Sequence, residues 1–345
     1  MFSSTQQLSN STEDRALSNY PWFADLASKL DHTNVQAFLL YGMQYTGKLN
    51  FAKQIIASWL CTQTQVAHLD AISCGSCNSC TWYSAGSHPD FCYIEPNQHN
   101  IITVEQIAQL QEFIQISPHI TGAKKVICIY APESLNGYAA NALLKTLEEP
   151  ASNCIFLLIS HRLEGVIATI RSRCQLIKAQ APNAQQAKTW LLSSGLDAAK
   201  VEALTKLFPV APLLVAQLVS AQDDLLDNIH IEIIDVLLAQ QQPIKLAARL
   251  AQIDIALSYS LLWCVCYELL QLHYGLVEPA QARYIPDNAQ KLVKQLDVYA
   301  LFGFVEQLQG AISALHQGYN LNKQLNLTSL LLQLRGCISS SPLPE

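Results

Sequence analysis

The chain has 345 residues, about twice what one compact core usually holds, so its length alone points to two or three domains. Half the residues are apolar and 14% are charged, which excludes an intrinsically disordered polymer. The net charge is −6, from 21 Lys+Arg against 27 Asp+Glu, and neither half is basic; a continuous nucleic-acid-gripping surface made by this chain alone is therefore not expected.

Residues 1–19 are rich in Ser, Thr, Gln and Asn and read as a flexible leader, without the apolar stretch of a secretory signal. From Tyr20-Pro21-Trp22 the pattern becomes α/β. Ala37 to Tyr41 is an apolar run ending at Gly42, a buried strand feeding a turn. Lys48 to Leu60 then carries Phe51, Ile55, Ile56 and Leu60 at helical spacing. Cys92-Tyr93-Ile94 is a weaker strand signal. Val104 to Ile116 is amphipathic, with Ile107, Leu110, Phe113 and Ile114 on one face and Glu105 in its favourable first turn. Val126 to Tyr130 and Ile155 to Ser160 are further apolar strands. Between them Asn136 is placed to cap a helix reaching Glu149, which Pro150 stops. Gln175 to Lys178 reads as an edge strand. Strands alternating with helices imply a parallel sheet covered on both faces. After about residue 181 the strands cease. Gln185 to Ser194, Ala198 to Leu207 and Pro212 to Ser220 suit short helices. From Asp223 Leu-rich stretches suit a helical bundle, broken by a polar loop around Glu278 to Asp287. The most apolar later run, Ile255 to Tyr267, has 13 residues, too few to span a bilayer, so the expectation is a soluble, cytoplasmic chain with no membrane partner.

Gly42-Met43-Gln44-Tyr45-Thr46-Gly47-Lys48-Leu49 follows a strand and opens a helix, and it matches a phosphate loop except at its last position. In a working loop the backbone N–H groups wrap the phosphates, Lys adds charge, and Ser or Thr holds Mg²⁺. Leu49 has no oxygen to offer. The neighbouring strand Val126 to Ile129 ends in Tyr130-Ala131 in place of acidic residues, and Glu133 comes two positions late. Two losses at one site argue against ATP hydrolysis. Gly42, Gly47 and Lys48 survive, so weak nucleotide binding and an empty loop both stay open.

Cys61 with Cys74-x-x-Cys77-x-x-Cys80 is a four-thiolate set of tetrahedral zinc type, closed and therefore structural; free thiols or a redox pair are the alternative. The other seven cysteines sit mostly in apolar stretches, as reduced buried thiols do. His88-Pro89-Asp90 is read as shaping the next strand, with Asp90 orienting His88, and not as a catalytic pair. Glu148 and Glu149 sit at a helix C-terminus, either solvated or facing cations of another subunit. Arg171-Ser172-Arg173-Cys174 offers a surface salt bridge or a finger donated to a neighbour's triphosphate.

Together, Tyr20-Pro21-Trp22, the degenerate phosphate loop, the four cysteines, His88-Pro89-Asp90, the run Ala140 to Pro150 and Ser172-Arg173-Cys174 resemble the delta-prime family of bacterial DNA polymerase III clamp-loader subunits over residues 20–180. The resemblance implies an AAA+ fold: an α/β P-loop domain over 20–181 with a zinc module at 61–80, a helical lid over 182–222 and an all-α collar for oligomerisation over 223–345. It implies a non-hydrolysing stator in a hetero-pentamer with delta and tau/gamma subunits, which loads the beta sliding clamp onto primer-template DNA. Its Ser-Arg-Cys arginine, here Arg173, would complete a neighbour's ATP site, with Ser172, Glu148 and Glu149 at that interface and no catalysis in cis. ATPase relatives carry a nucleotide-sensing lid arginine, absent from Val210 to Leu214. Two other classes remain: an autonomous ATPase of the tau/gamma type, needing Ser or Thr at 49 and acids at 130–131, and a zinc-bearing DNA-binding or scaffold protein, which salt-dependent DNA binding would reveal.

Overall fold

A computed structural model describes residues 20–30, 35–63, 73–97, 100–120, 124–220, 229–253, 255–278, 285, 290–316 and 322–338. The expected leader over 1–19 and most of the expected polar loop around Glu278 to Asp287 lie outside these residues. The chain divides into two compact units, Met1–Ala221 and Gln222–Glu345.

The first unit is built on five parallel strands: β1 (Ala37–Tyr41), β2 (Phe91–Ile94), β3 (Lys125–Tyr130), β4 (Cys154–Ser160) and β5 (Gln175–Lys178), in the order β2-β3-β4-β1-β5. Every residue of β4 is buried, as a strand covered on both faces requires, and β3 is buried up to Tyr130. In β5, which pairs only with β1, Ile177 alone is buried.

Around the sheet run α1 (Lys48–Leu60), α2 (Asn78–Ser84), α3 (Val104–Gln115), α4 (Gly137–Glu148) and the short α5 (Ala168–Arg171). Thr103 and Gln106 form a capping box that starts α3, and the Asn136 side chain accepts the Ala139 N–H to start α4. The buried faces of α3 and α4, including Ile107, Leu110, Phe113, Leu143 and Leu147, share one core with Leu39, Ile127, Phe156 and Leu158 of the sheet. Three helices complete this unit: α6 (Ala184–Ser193), α7 (Ala198–Leu207) and α8 (Pro212–Ser220).

The second unit is helical: α9 (Ile229–Leu237), α10 (Pro243–Leu250), α11 (Ile255–His273), α12 (Gln290–Lys294), α13 (Val298–His316) and α14 (Lys323–Gly336). Here α10 packs on α14 and α11 on α13. No helix among the described residues is long and apolar enough to cross a membrane.

Candidate functional site

In this strand order β1 lies beside β4, and β4 beside β3, so the residues that follow these three strands gather at the carboxyl edge of the sheet, where open α/β sheets form their crevices. The loop Gly42–Gly47 leaves β1 there. A Cβ on Gly42 would lie 2.3 Å from the Ala179 carbonyl oxygen, so the loop can pass β5 only without a side chain. Gly47 has φ +92°, and a Cβ on it would lie 2.6 Å from the Tyr20 ring. The aromatic Tyr20 thus lies over the second glycine, and Trp22 Nε1 donates to the Thr46 carbonyl at 3.0 Å. From the other side the Leu213 N–H of α8 donates to the Tyr45 carbonyl at 3.1 Å.

Lys48 is 2% exposed. Its ammonium donates to the Met43 carbonyl, within its own loop, and lies 3.3 Å from His161 Nδ1. The other ring nitrogen, Nε2, lies 2.7 Å from the Tyr130 hydroxyl. With Nδ1 accepting from Lys48, Nε2 carries the ring proton and donates to Tyr130. Burial pulls the Lys48 ammonium down to about 8, partly opposed by the Glu133 charge; burial likewise pushes the Tyr130 hydroxyl up to about 12. Glu133 accepts the His161 N–H at 3.0 Å on Oε1, while its buried Oε2 has no hydrogen-bond partner among the described residues. Two positions late in sequence, Glu133 nonetheless reaches His161, and its charge acts on Lys48. His161 escapes a reading by linear motif; the signal for it is its place directly after β4, the neighbour of β1.

The four cysteines converge. The Sγ atoms of Cys61, Cys74, Cys77 and Cys80 all lie within 4.8 Å of one another, with Cys61–Cys77 and Cys74–Cys80 each at 3.9 Å. Tetrahedral zinc with Zn–S bonds near 2.3 Å holds its sulfurs about 3.8 Å apart, so the set fits such an ion and leaves no open position. Backbone N–H groups support the sulfurs: Cys74 N–H on Cys61, Cys77 N–H on Cys74 and Cys80 N–H on Cys77, at 3.4 to 3.5 Å. Cys77 is also the N-cap of α2, so the metal-type spacing and the helix start are one feature.

A buried chain of hydrogen bonds ties this module to the sheet. The Asp90 N–H donates to His88 Nδ1 at 3.0 Å, which leaves the ring proton on Nε2, 2.7 Å from Ser79 Oγ; Ser79 in turn donates to the Leu60 carbonyl at 2.5 Å. Burial holds His88 below the usual imidazole range, so it stays neutral. The Asp90 carboxylate does not orient His88. It accepts the N–H groups of His119 at 2.7 Å and Ile120 at 3.2 Å.

At the rim, Arg173 Nη2 pairs with Glu148 Oε1 at 2.5 Å, and Nη1 donates to the Thr169 carbonyl at 2.9 Å and to Ser172 Oγ at 3.4 Å. Glu148 therefore meets a cation of its own chain. Glu149 is exposed, and Arg171 has a buried Nε with no hydrogen-bond partner among the described residues.

Two family models match the chain: DNA polymerase III, delta subunit, over residues 22–183, and DNA polymerase III, delta subunit, C terminal, over 217–336. DNA polymerase III subunit delta' of Pseudomonas aeruginosa is 34% identical over 197 residues, 56% of this chain and 58% of that protein. The subunit delta' of Haemophilus influenzae is 41% identical over 120 residues, 35% of this chain and 36% of that protein. The chain thus matches less than two thirds of the length of either relative. Among solved structures it is similar to a DNA polymerase III gamma subunit-related protein of Thermotoga maritima, with a TM-score of 0.43 and 17% identity over 92% of this chain and 99% of that one.

Proposed function

We propose that the chain is a member of the DNA polymerase III delta-prime subunit family and the non-hydrolysing, stator member of a clamp loader. In this reading the first unit is an AAA+ P-loop domain (20–181) with a helical lid (182–222), and residues 223–345 form the collar that joins delta and tau/gamma subunits in a five-membered ring. The ring opens the beta clamp and places it on primed DNA.

The observation that carries the reading is the fate of Lys48. Its ammonium is taken up by the Met43 carbonyl and His161, and the residues that should bring Mg²⁺ are Leu49, Tyr130 and Ala131. Mg²⁺ needs hard oxygen ligands in near-octahedral geometry, and a phenol with its proton held in place is not one. Tyr20 over Gly47 and Leu213 on Tyr45 keep the loop closed from two sides. A subunit arranged this way contributes shape and an arginine, not turnover. Arg173 is the group that reaches a neighbour's triphosphate, where guanidinium charge suits the transition state.

Cys61, Cys74, Cys77 and Cys80 would hold one structural Zn²⁺. The ion would supply a cross-link for a segment whose own apolar cluster consists of Cys61, Cys77 and Cys80. Ser79 and His88 then pass the position of that cross-link to the strand β2.

The test is reconstitution with delta and tau/gamma subunits. The chain alone should show no ATPase activity. The Arg173→Ala complex should keep its mass and zinc while its DNA- and clamp-stimulated ATPase and clamp loading fall. Normal clamp loading by that complex at limiting ATP refutes the role of Arg173; turnover by the chain alone that vanishes in Lys48→Ala refutes the non-hydrolysing assignment.

A further inference from the structure

We propose that Glu148 is a mask on Arg173, holding the guanidinium neutralised within the chain until a neighbouring subunit's polyphosphate displaces the carboxylate. The inference rests on the trans role of Arg173 given above and adds a control on it. Two sets of acceptors hold this arginine. The Thr169 carbonyl and Ser172 Oγ both take Nη1; they are neutral and belong to the arginine's own segment at the end of α5. They fix where the side chain points. Glu148 takes Nη2 and comes from another element, the last turn of α4. What it adds is a negative charge. A carboxylate and a phosphate present the same kind of oxygen to a guanidinium, so they compete for its donors. While Glu148 is paired, the net charge offered at the rim is close to zero and long-range attraction of a polyphosphate is cancelled.

The mask is also built to come off. Glu148 ends α4, where the helix dipole disfavours an anion, and Glu149 adds a like charge next to it. The two partners are 33% and 49% exposed, so solvent screens the pair. An ion pair of this exposure biases the masked state by up to about fivefold, equivalent to about 1 kcal/mol. A polyphosphate with several charges overcomes a bias of that size, while a stray anion does not.

In the reconstituted complex, Glu148→Gln should raise kcat/KM for ATP turnover without clamp or DNA by up to about fivefold, because the carboxylate no longer competes with the polyphosphate for the guanidinium. In an Arg173→Ala background the same substitution should change nothing. No rise, a fall, or an equal rise in both backgrounds overturns the mask. The last of these outcomes would mean that Glu148 acts on the assembly by another route. If Arg173→Ala by itself leaves stimulated turnover intact, the trans role fails and the mask with it. If Arg173→Ala abolishes stimulation while Glu148→Gln raises nothing, the mask alone is wrong.

Discussion

Replacing Lys48 with Met should stabilise the first unit at neutral pH, because the bonds its ammonium makes repay only part of the burial of its charge. The drop of the ammonium from 10.5 to about 8 sets about 3 kcal/mol against the charged form in the folded chain. Loss of the bond to the Met43 carbonyl offsets about 1 kcal/mol of this, because that oxygen keeps the Thr46 hydroxyl as a donor at 2.9 Å. The comparison between pH values is cleaner than the absolute gain. A base with a depressed folded value binds fewer protons folded than unfolded, so the wild-type chain gains stability as pH rises through about 8 towards 10.5. Between about pH 7 and about pH 9.5 that gain is about 2 kcal/mol, and the variant lacks it. Urea unfolding of both chains at the two pH values measures the difference directly, and every other titrating group cancels in it. If the stability difference between the two chains is the same at both pH values, the ammonium is not buried as described, and the account of a self-occupied loop falls with it.

Cys77→Ser should reduce bound zinc from one per chain to well below one by metal analysis, and chelation of the wild type should loosen residues 61–80 before the sheet unfolds; a variant that keeps stoichiometric zinc contradicts the four-thiolate set. Gly47→Ala should cost about 1 to 3 kcal/mol in the same unfolding assay, because it adds a side chain at φ +92° against the Tyr20 ring. Ser79→Ala should cost roughly 1 to 3 kcal/mol by leaving the buried His88 Nε2 proton without its acceptor, and wild-type stability in that variant would show that His88 does not tether the module. Arg171→Ala should affect clamp loading less than Arg173→Ala when the two reconstituted complexes are assayed side by side.

The parts of the fold legible in the sequence are those where burial on both faces writes a continuous apolar run, as in Ala37–Tyr41 and Cys154–Ser160. β2 was faint because only Cys92 and Ile94 are buried in it, and β5 because it keeps one buried residue, Ile177. The helix Asn78–Ser84 left no trace at all. Seven residues give no apolar periodicity, and its start is set by a cysteine whose spacing already had a second explanation. The cysteines and the loop glycines were legible because their chemistry depends on local spacing. The Lys48–His161 contact spans 113 residues and exists only because β4 lies beside β1, an adjacency that no local pattern encodes. For the same reason Glu148 was visible as a helix-end acid, but not as the partner of Arg173, 25 residues further on.

The ring cluster that closes the loop has a spectroscopic consequence. Trp190 of α6 lies 5.6 Å from both Tyr20 and Trp22, while Leu213 of α8 is hydrogen-bonded to the loop itself. Any hinge between these helices and the sheet must draw Trp190 off those two rings and expose its indole to water. The chain therefore carries an unlabelled optical gauge of its own bending. If the chain is the non-hydrolysing subunit proposed above, the Trp190 emission should hold constant through cycles in which its neighbours open and close.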